Sequence, residues 1–144
     1  MKVQLALCAE STSIDKTTGR LSIFNVTDRL SSFTFPLWIS RMSLVLNLVK
    51  SEDEPLETRG KLRIFQGDTE LAARDVWVRY RPETKRCKVV LNFAVAVPAP
   101  GELAFRIVSG DIEIEVLRIL VVQASSSRPT EPPDDSETSD LSVA

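Results

Sequence analysis

The sequence predicts an all-β protein: a two-layer antiparallel β-sandwich of about eight strands, roughly immunoglobulin-like in layout, followed by a disordered C-terminal tail. Three observations predict it. Apolar and polar residues alternate with period two in run after run, most cleanly in Ile112-Glu-Ile114-Glu-Val116, as a strand with one buried face requires. Glycine-bearing turn signals separate the runs, as in Gln66-Gly67-Asp68 and Ser109-Gly110-Asp111. No segment is long and helical enough for a βαβ unit, so successive hairpins imply mainly antiparallel pairing. A strand that is half wet needs a second layer to pack on. A closed barrel of similar strand count is the alternative arrangement.

Taken in order, Lys2 to Ala9 reads as a strand with Val3, Leu5, Leu7 and Ala9 inward and Lys2 and Gln4 outward. Glu10 to Gly19 are polar turn formers that make a long connection. Arg20 to Asp28 is the return strand, its β-branched and aromatic content suiting a pleated surface. Within it Asn25-Val26-Thr27 matches the N-glycosylation pattern, read as a chance match because no secretory signal is expected. Leu30 to Ile39 holds Phe33, Phe35 and Trp38 and cannot be one regular strand across Pro36, so its aromatics are expected to plug the core.

Arg41 to Lys50 resumes alternation, with Met42, Leu44, Leu46 and Leu48 on one side. Ser51-Glu-Asp-Glu-Pro55 is an acidic, solvated connector without the spacing or glycine of a calcium loop. Gly60–Phe65 and Thr69–Tyr80 form a hairpin, with Val76, Val78 and Tyr80 on one face and Trp77 and Arg79 on the other. Cys87 to Val97 is a long β-rich run, expected to be a central strand and ended by Pro98 and Pro100. Gly101 to Val122 is the best-patterned hairpin. Its last stretch from Leu117 is nearly continuously apolar, which suggests cover on both sides. Residues 1–123 are therefore one β-sandwich domain. Residues 124–144 form a Ser/Pro-rich acidic tail without the apolar content to offset ordering entropy.

The totals narrow the function classes. The 144 residues suffice for one domain with a core, and 43% hydrophobic content is ordinary for a globular chain. The tail sets Arg128 against Glu131, Asp134, Asp135, Glu137 and Asp140, a charge of −4, which leaves +2 on the preceding residues of a chain whose net charge is −2. Neither value is the footprint of a strongly basic nucleic-acid binder. With no histidine, the commonest general base, metal ligand and neutral-pH switch are all missing. Cys8 sits in an apolar run and reads as a small buried hydrophobe, while Cys8 and Cys87 together leave open whether they are bonded. The short apolar run at the N-terminus, broken by Gln4 and Glu10, fits neither a signal peptide nor a membrane span, so the location expected is cytoplasmic.

Candidate binding residues are few. Arg79, Arg81, Lys85 and Arg86 surround Tyr80 in a basic cluster at one hairpin tip, and Trp38 and Trp77 are further aromatic candidates. A solvated hairpin tip is the expected reading of such a cluster, since phosphate affinity scales with many such contacts. Glu113 and Glu115 share a strand face that is expected to be wet, the wrong setting for a raised pKa.

Several signatures together resemble a bacterial family of uncharacterised domains, DUF6941. They are the first strand ending in Ala9-Glu10, the stretch Gly19-Arg-Leu-Ser-Ile-Phe-Asn-Val26, Asp28-Arg29-Leu30, Phe35-Pro36, and Ala99-Pro100-Gly101 leading into the hairpin to Asp111. Glu10 stands where the family pattern has Asp, and Phe24-Asn25 replaces a smaller pair. The resemblance spans residues 2 to 122 and implies a compact β-sandwich with no assigned function.

No Walker motif, dinucleotide fingerprint, metal-ligand spacing or nucleophile–histidine pair occurs, so neither enzyme nor cofactor is expected. The expectation is a non-catalytic protein-interaction or accessory module with a protein partner, and without nucleic acid or membrane. The alternative is a sandwich that binds carbohydrate or nucleic acid through loop aromatics and the basic tip.

Overall fold

Period-two patterning becomes nine strands in the computed structural model, which describes residues 1–125. They are β1 (Lys2–Ile14), β2 (Leu21–Thr27), β3 (Arg29–Ser32), β4 (Leu37–Val49), β5 (Glu57–Gln66), β6 (Thr69–Arg79), β7 (Arg86–Val97), β8 (Gly101–Ser109) and β9 (Ile112–Gln123). One sheet has the order β2-β1-β4-β7 and the other β3-β9-β8-β5-β6. All pairings are antiparallel except β3 with β9, which is parallel. The two sheets stay separate ladders with a common core between them, so the arrangement is the sandwich and not the closed barrel. The expected disorder of the tail concerns residues that, beyond Ser125, lie outside those described.

The core draws on both layers. Leu44, Leu46 and Leu48 of β4 are fully buried from one side, as are Leu62, Ile64, Leu103, Phe105 and Ile107 from the other. Phe93 of β7 meets Phe105 of β8 across the layers, ring centroids 5.4 Å apart at 64°, the edge-to-face geometry that aromatic quadrupoles favour.

Six expectations change. The ninth strand, β3, lies in the crossover. Only Leu30 among its four residues is apolar, and its extended form comes from pairing Arg29–Ser32 alongside Leu120–Gln123. The first strand does not stop at Ala9 but continues to Ile14 against Leu21–Phe24, and Asp15 closes the turn by accepting the Thr17 N–H at 2.8 Å. A bulge at Gln4 also shifts its phase, so that Val3 and then Ala6 and Cys8 point inward while Leu5 and Leu7 lie outward.

The crossover aromatics are not a plug. Phe35 packs against the core, but Phe33 and Trp38 are exposed, because Trp38 falls on the outward phase of β4 between inward Leu37 and Ile39. The β-rich run of β7 is an edge strand. Its outward positions include the exposed Ala94 and Ala96, which made it look uniformly apolar. The run from Leu117 is covered on one side only. Val116 is an extra residue against the Phe105–Arg106 step of β8, so the inward phase passes from Ile112 and Ile114 to Leu117, Ile119 and Val121. The continuous apolar stretch is the trace of a bulge.

Both cysteines are buried and free, Cys8 facing Leu44 and Cys87 facing Leu48 along β4. Burial pushes the Cys8 thiol up to about 12 and raises that of Cys87 as well. Since the thiolate is the reactive form, the native protein should be inert to a disulfide reagent at mildly alkaline pH, and both thiols should react once guanidinium chloride is added. Titration of thiols released with time checks this. Prompt labelling of either one without denaturant would contradict the packing described.

Candidate functional site

Alternation along β6 turns Val76 and Val78 into the core and Trp77 and Arg79 outward. The β5–β6 register then sets Arg59 directly opposite Trp77 and Glu57 opposite Arg79. Trp77 is 47% exposed, and two guanidinium groups lie over its indole, Arg79 at 3.7 Å and Arg59 at 4.7 Å from the ring centroid. Such stacking is electrostatic and is favoured by tryptophan above other rings. Arg79 also approaches the Glu57 carboxylate at 3.8 Å, which leaves its orientation set by two neighbours.

Beside this indole is a cleft of about 480 Å³ formed by Arg59, Gly60, Lys61, Asp75, Trp77 and Val108. Gly60 gives it depth. A Cβ there would stand 2.3 Å from the Val108 carbonyl oxygen, so β5 and β8 approach where no side chain fits. Farther along the same outer face, Phe65 lies beneath Arg63 and Arg106, at 4.8 and 4.5 Å. Arg63 donates to Glu70 at 2.7 Å and lies 3.6 Å from Glu113, while Arg118 donates to Glu115 at 2.8 Å and Glu102 at 2.7 Å. The hydrogen bond from Arg63 holds the Glu70 carboxyl below its usual range, and Arg118 does the same for Glu115. These acids stay ionised, in keeping with the wet, charged face read from Glu113 and Glu115. No group of His, Cys, Asp and Glu among the described residues could hold a metal ion.

The sequence candidates separate into four places. Trp77 and Arg79 belong to the cleft. Trp38, 65% exposed, stands on the outer face of the other sheet. Arg81 and Lys85 are exposed in the β6–β7 connection and Arg86 is exposed at the start of β7; Lys85 adopts a left-handed backbone and its N–H bonds the Arg81 carbonyl at 2.8 Å. Tyr80 is not a surface residue. It is 4% exposed, and its hydroxyl donates to Glu54 at 2.9 Å.

Glu54 corrects the picture of a wholly solvated acidic loop. Its side chain is buried, ion-paired with the Met1 ammonium and bonded by the Ser51 N–H at 3.0 Å. Burial alone would raise its pKa. The Met1 ammonium, the Ser51 N–H and the Tyr80 hydroxyl outweigh burial and hold it below the ordinary value, while burial and Glu54 together raise that of Tyr80. A carboxyl whose folded pKa is depressed stabilises the fold above its unfolded pKa, and loses that contribution as pH falls through the folded one. Glu54→Gln should therefore cost about 1–3 kcal/mol at neutral pH, the range for a group that leaves buried partners unsatisfied. The gap from the parent protein should close in acid, below the carboxylate range. Urea unfolding of both proteins at neutral and acid pH measures it.

Sequence reasoning missed Arg59, Lys61 and Asp75. The signal was present: Arg59, Lys61 and Arg63 alternate on one strand face. Only the cross-strand register shows that this row stands beside Trp77.

Two sheets packed on one core, with charges and an aromatic cleft on one outer face, define an all-β sandwich-like domain with a surface cleft. The chain belongs to the DUF6941 family, a family of unknown function, whose profile matches residues 4–122. That match spans almost all of both sheets and agrees with the strand and turn signatures. No curated protein matches the chain. No helix of the described residues is long and apolar enough to cross a membrane.

Proposed function

We propose that this chain is a non-catalytic interaction module, bacterial and cytoplasmic, that docks a protein partner on the Trp77 cleft. The carrying observation is the half-exposed indole beneath Arg59 and Arg79 at the mouth of that cleft. Tryptophan and arginine dominate the few residues that supply most binding energy at protein interfaces. The guanidinium groups are already ordered by the ring and by Glu57, so docking immobilises less side-chain freedom. Arg59, Lys61 and Arg79 outnumber Asp75 and Glu57 around the site, which favours an acidic partner segment. The neighbouring carboxylates are engaged by arginines, which fits a structural role and not proton transfer.

The test is affinity purification with the full chain, a Trp77→Ala variant and a chain ending at residue 123. A specific partner should be retained by the parent, and Trp77→Ala should weaken it about 30-fold, the loss of roughly 2 kcal/mol typical of a central interface residue. An unchanged partner set would remove this reading. The second reading, an anionic nucleic-acid or carbohydrate ligand, is favoured by the exposed Arg81, Lys85 and Arg86 next to β6. Tryptophan fluorescence against oligonucleotide and glycan panels at low salt decides between them, because electrostatic binding is then strongest. Arg59 and Arg79 already lie over the Trp77 ring and compete with a base or sugar for it, which counts against this reading.

A further inference from the structure

The charges on the two outer faces are arranged differently. On the five-stranded sheet acids and bases interleave, Arg63 with Glu70 and Glu113, and Arg118 with Glu102 and Glu115. On the four-stranded sheet the outward charged residues are Lys2 of β1, Arg41 of β4, and Arg86 and Lys88 of β7, and all of them are cations. Arg41 is exposed at the β4 bulge, where Ser40–Arg41 stands against Ala94. Glu10 has the phase of Cys8, on the other side of its strand, and accepts from Asn25 at 2.6 Å. Among the described residues none of these cations enters an ion pair. Trp38, 65% exposed, stands on the same face just inside the start of β4.

We propose that the acidic segment of this chain, residues 126–144, covers this face. It holds Arg128 against Glu131, Asp134, Asp135, Glu137 and Asp140, with Pro129, Pro132 and Pro133 ahead of most of its acids. The described chain delivers it to one end of the face. Ala124 donates its N–H to the Ser32 carbonyl at 2.8 Å, and the Gln123 side-chain amide donates to the Phe33 carbonyl at 2.7 Å. The chain therefore leaves beside the crossover that enters β4 at Leu37. Counted from that end, Trp38 comes first, Arg41 next, and Lys88, Arg86 and Lys2 last. The segment offers matching groups in the same order. Its prolines come first and suit an exposed aromatic ring, as in proline-rich recognition. Asp134 and Asp135 follow for Arg41, then Glu137 and Asp140 for the far cations.

The distances allow this. Sheets lie about 10 Å apart and a strand rises about 3.4 Å per residue, which puts Arg41 roughly 17 Å from the exit and the foot of β4 at Val49 roughly 40 Å away. Asp134 is nine residues beyond Ser125 and Asp140 fifteen, spans of up to about 30 and 50 Å. Charge selects this face over the other one. Glu102 stands opposite Leu120 near the exit, and Glu113 and Glu115 follow along the five-stranded sheet, so acids passing there meet like charges before Arg59 and Lys61. Tethering selects this occupant over a separate acidic chain, because a short linker holds the segment at about millimolar effective concentration. The face and the Trp77 cleft are on opposite sheets, so either reading can fail without the other.

The experiment is acrylamide quenching of Trp38 in the full chain carrying Trp77→Phe, which leaves Trp38 as the sole tryptophan. Acrylamide is neutral, so a change of charge does not by itself alter its access. At low salt the quenching should be about half that of the same chain with Asp134→Lys, Asp135→Lys, Glu137→Lys and Asp140→Lys, the ratio for a segment seated half of the time. Adding 1 M sodium chloride, where screening acts within about 3 Å, should raise the quenching to the level of that variant. Arg41→Glu should raise it as well. The salt arm involves no change to the face or the segment, so a folding defect cannot imitate the result. Equal quenching in both chains at low salt overturns the proposal. So does shielding that survives Arg41→Glu, or that fades on dilution and so comes from another molecule. A Trp38 that is open in both chains and closes only when polyglutamate is added assigns the face to a separate acidic chain, which overturns occupancy by residues 126–144.

Discussion

Phe105→Ala should remove about 3–5 kcal/mol of stability, the range measured for emptying a large aromatic site in a core. Phe105 is wholly buried in β8, between Ile64 of β5 and Leu117 of β9 in its own sheet, and its ring meets Phe93 of the opposite sheet. Its removal opens a cavity at the place where both layers touch. The strands on either side are held by ladders, so they have little freedom to collapse into it. A domain of this size holds about 5–15 kcal/mol in total, so the variant should sit near the threshold of unfolding. Urea unfolding followed by tryptophan emission measures the loss. Phe93→Ala and the double variant complete a cycle, in which the edge-to-face contact should appear as a coupling of about 0.5–1.5 kcal/mol. A loss below about 1 kcal/mol for Phe105→Ala would mean that the site is not packed as described.

Gly60→Ala comes second, at about 1–3 kcal/mol or more, the cost of overpacking a site that cannot yield. The new methyl group would lie 2.3 Å from the Val108 carbonyl oxygen, and a backbone carbonyl in a paired strand cannot swing aside like a side chain. The β5–β8 ladder begins one residue away, at Lys61 with Val108, so separation there weakens the centre of the five-stranded sheet. Gly110→Ala is the useful comparison. Gly110 has φ +59 but nothing within 4 Å of the added methyl, so its cost is conformational alone, about 1–2 kcal/mol for a left-handed residue with a Cβ. If Gly60→Ala proved no more costly than a surface change, within about 0.5 kcal/mol, the close approach of β5 and β8 would be refuted. Gly60 also lines the Trp77 cleft, so this variant should perturb partner binding along with stability.

Much of the site's chemistry was legible locally. Alternation sets Trp77 and Arg79 on one face of their strand and Val76, Val78 and Tyr80 on the other, and the structure turns the first pair outward. Tyr80 shares the face of Val76 and Val78, yet it is also the aromatic at the centre of the basic cluster. Its burial against Glu54 resolves that tension in favour of the alternation. Arg59 was invisible as a partner because a strand's own pattern says which side a residue faces and not what stands across from it.

Alternation, glycine turns and the absence of helical segments determined the all-β class, the hairpin order and most inward faces without any tertiary information. They also carried the family signatures, which are strand ends and turns. Tertiary structure alone decided three things. It decided where the phase slips, at Gln4, Ser40–Arg41, Leu71 and Val116, because a bulge exists only relative to a neighbouring strand. It decided that β7 is an edge and that Arg29–Ser32 is a strand, because pairing partners lie far away in sequence. And it decided which charged residues share an outer face, since each face sums side chains from four or five strands. A period of two is a local property of the backbone. Register and sheet order are long-range, and they are what bring Arg59 to Trp77.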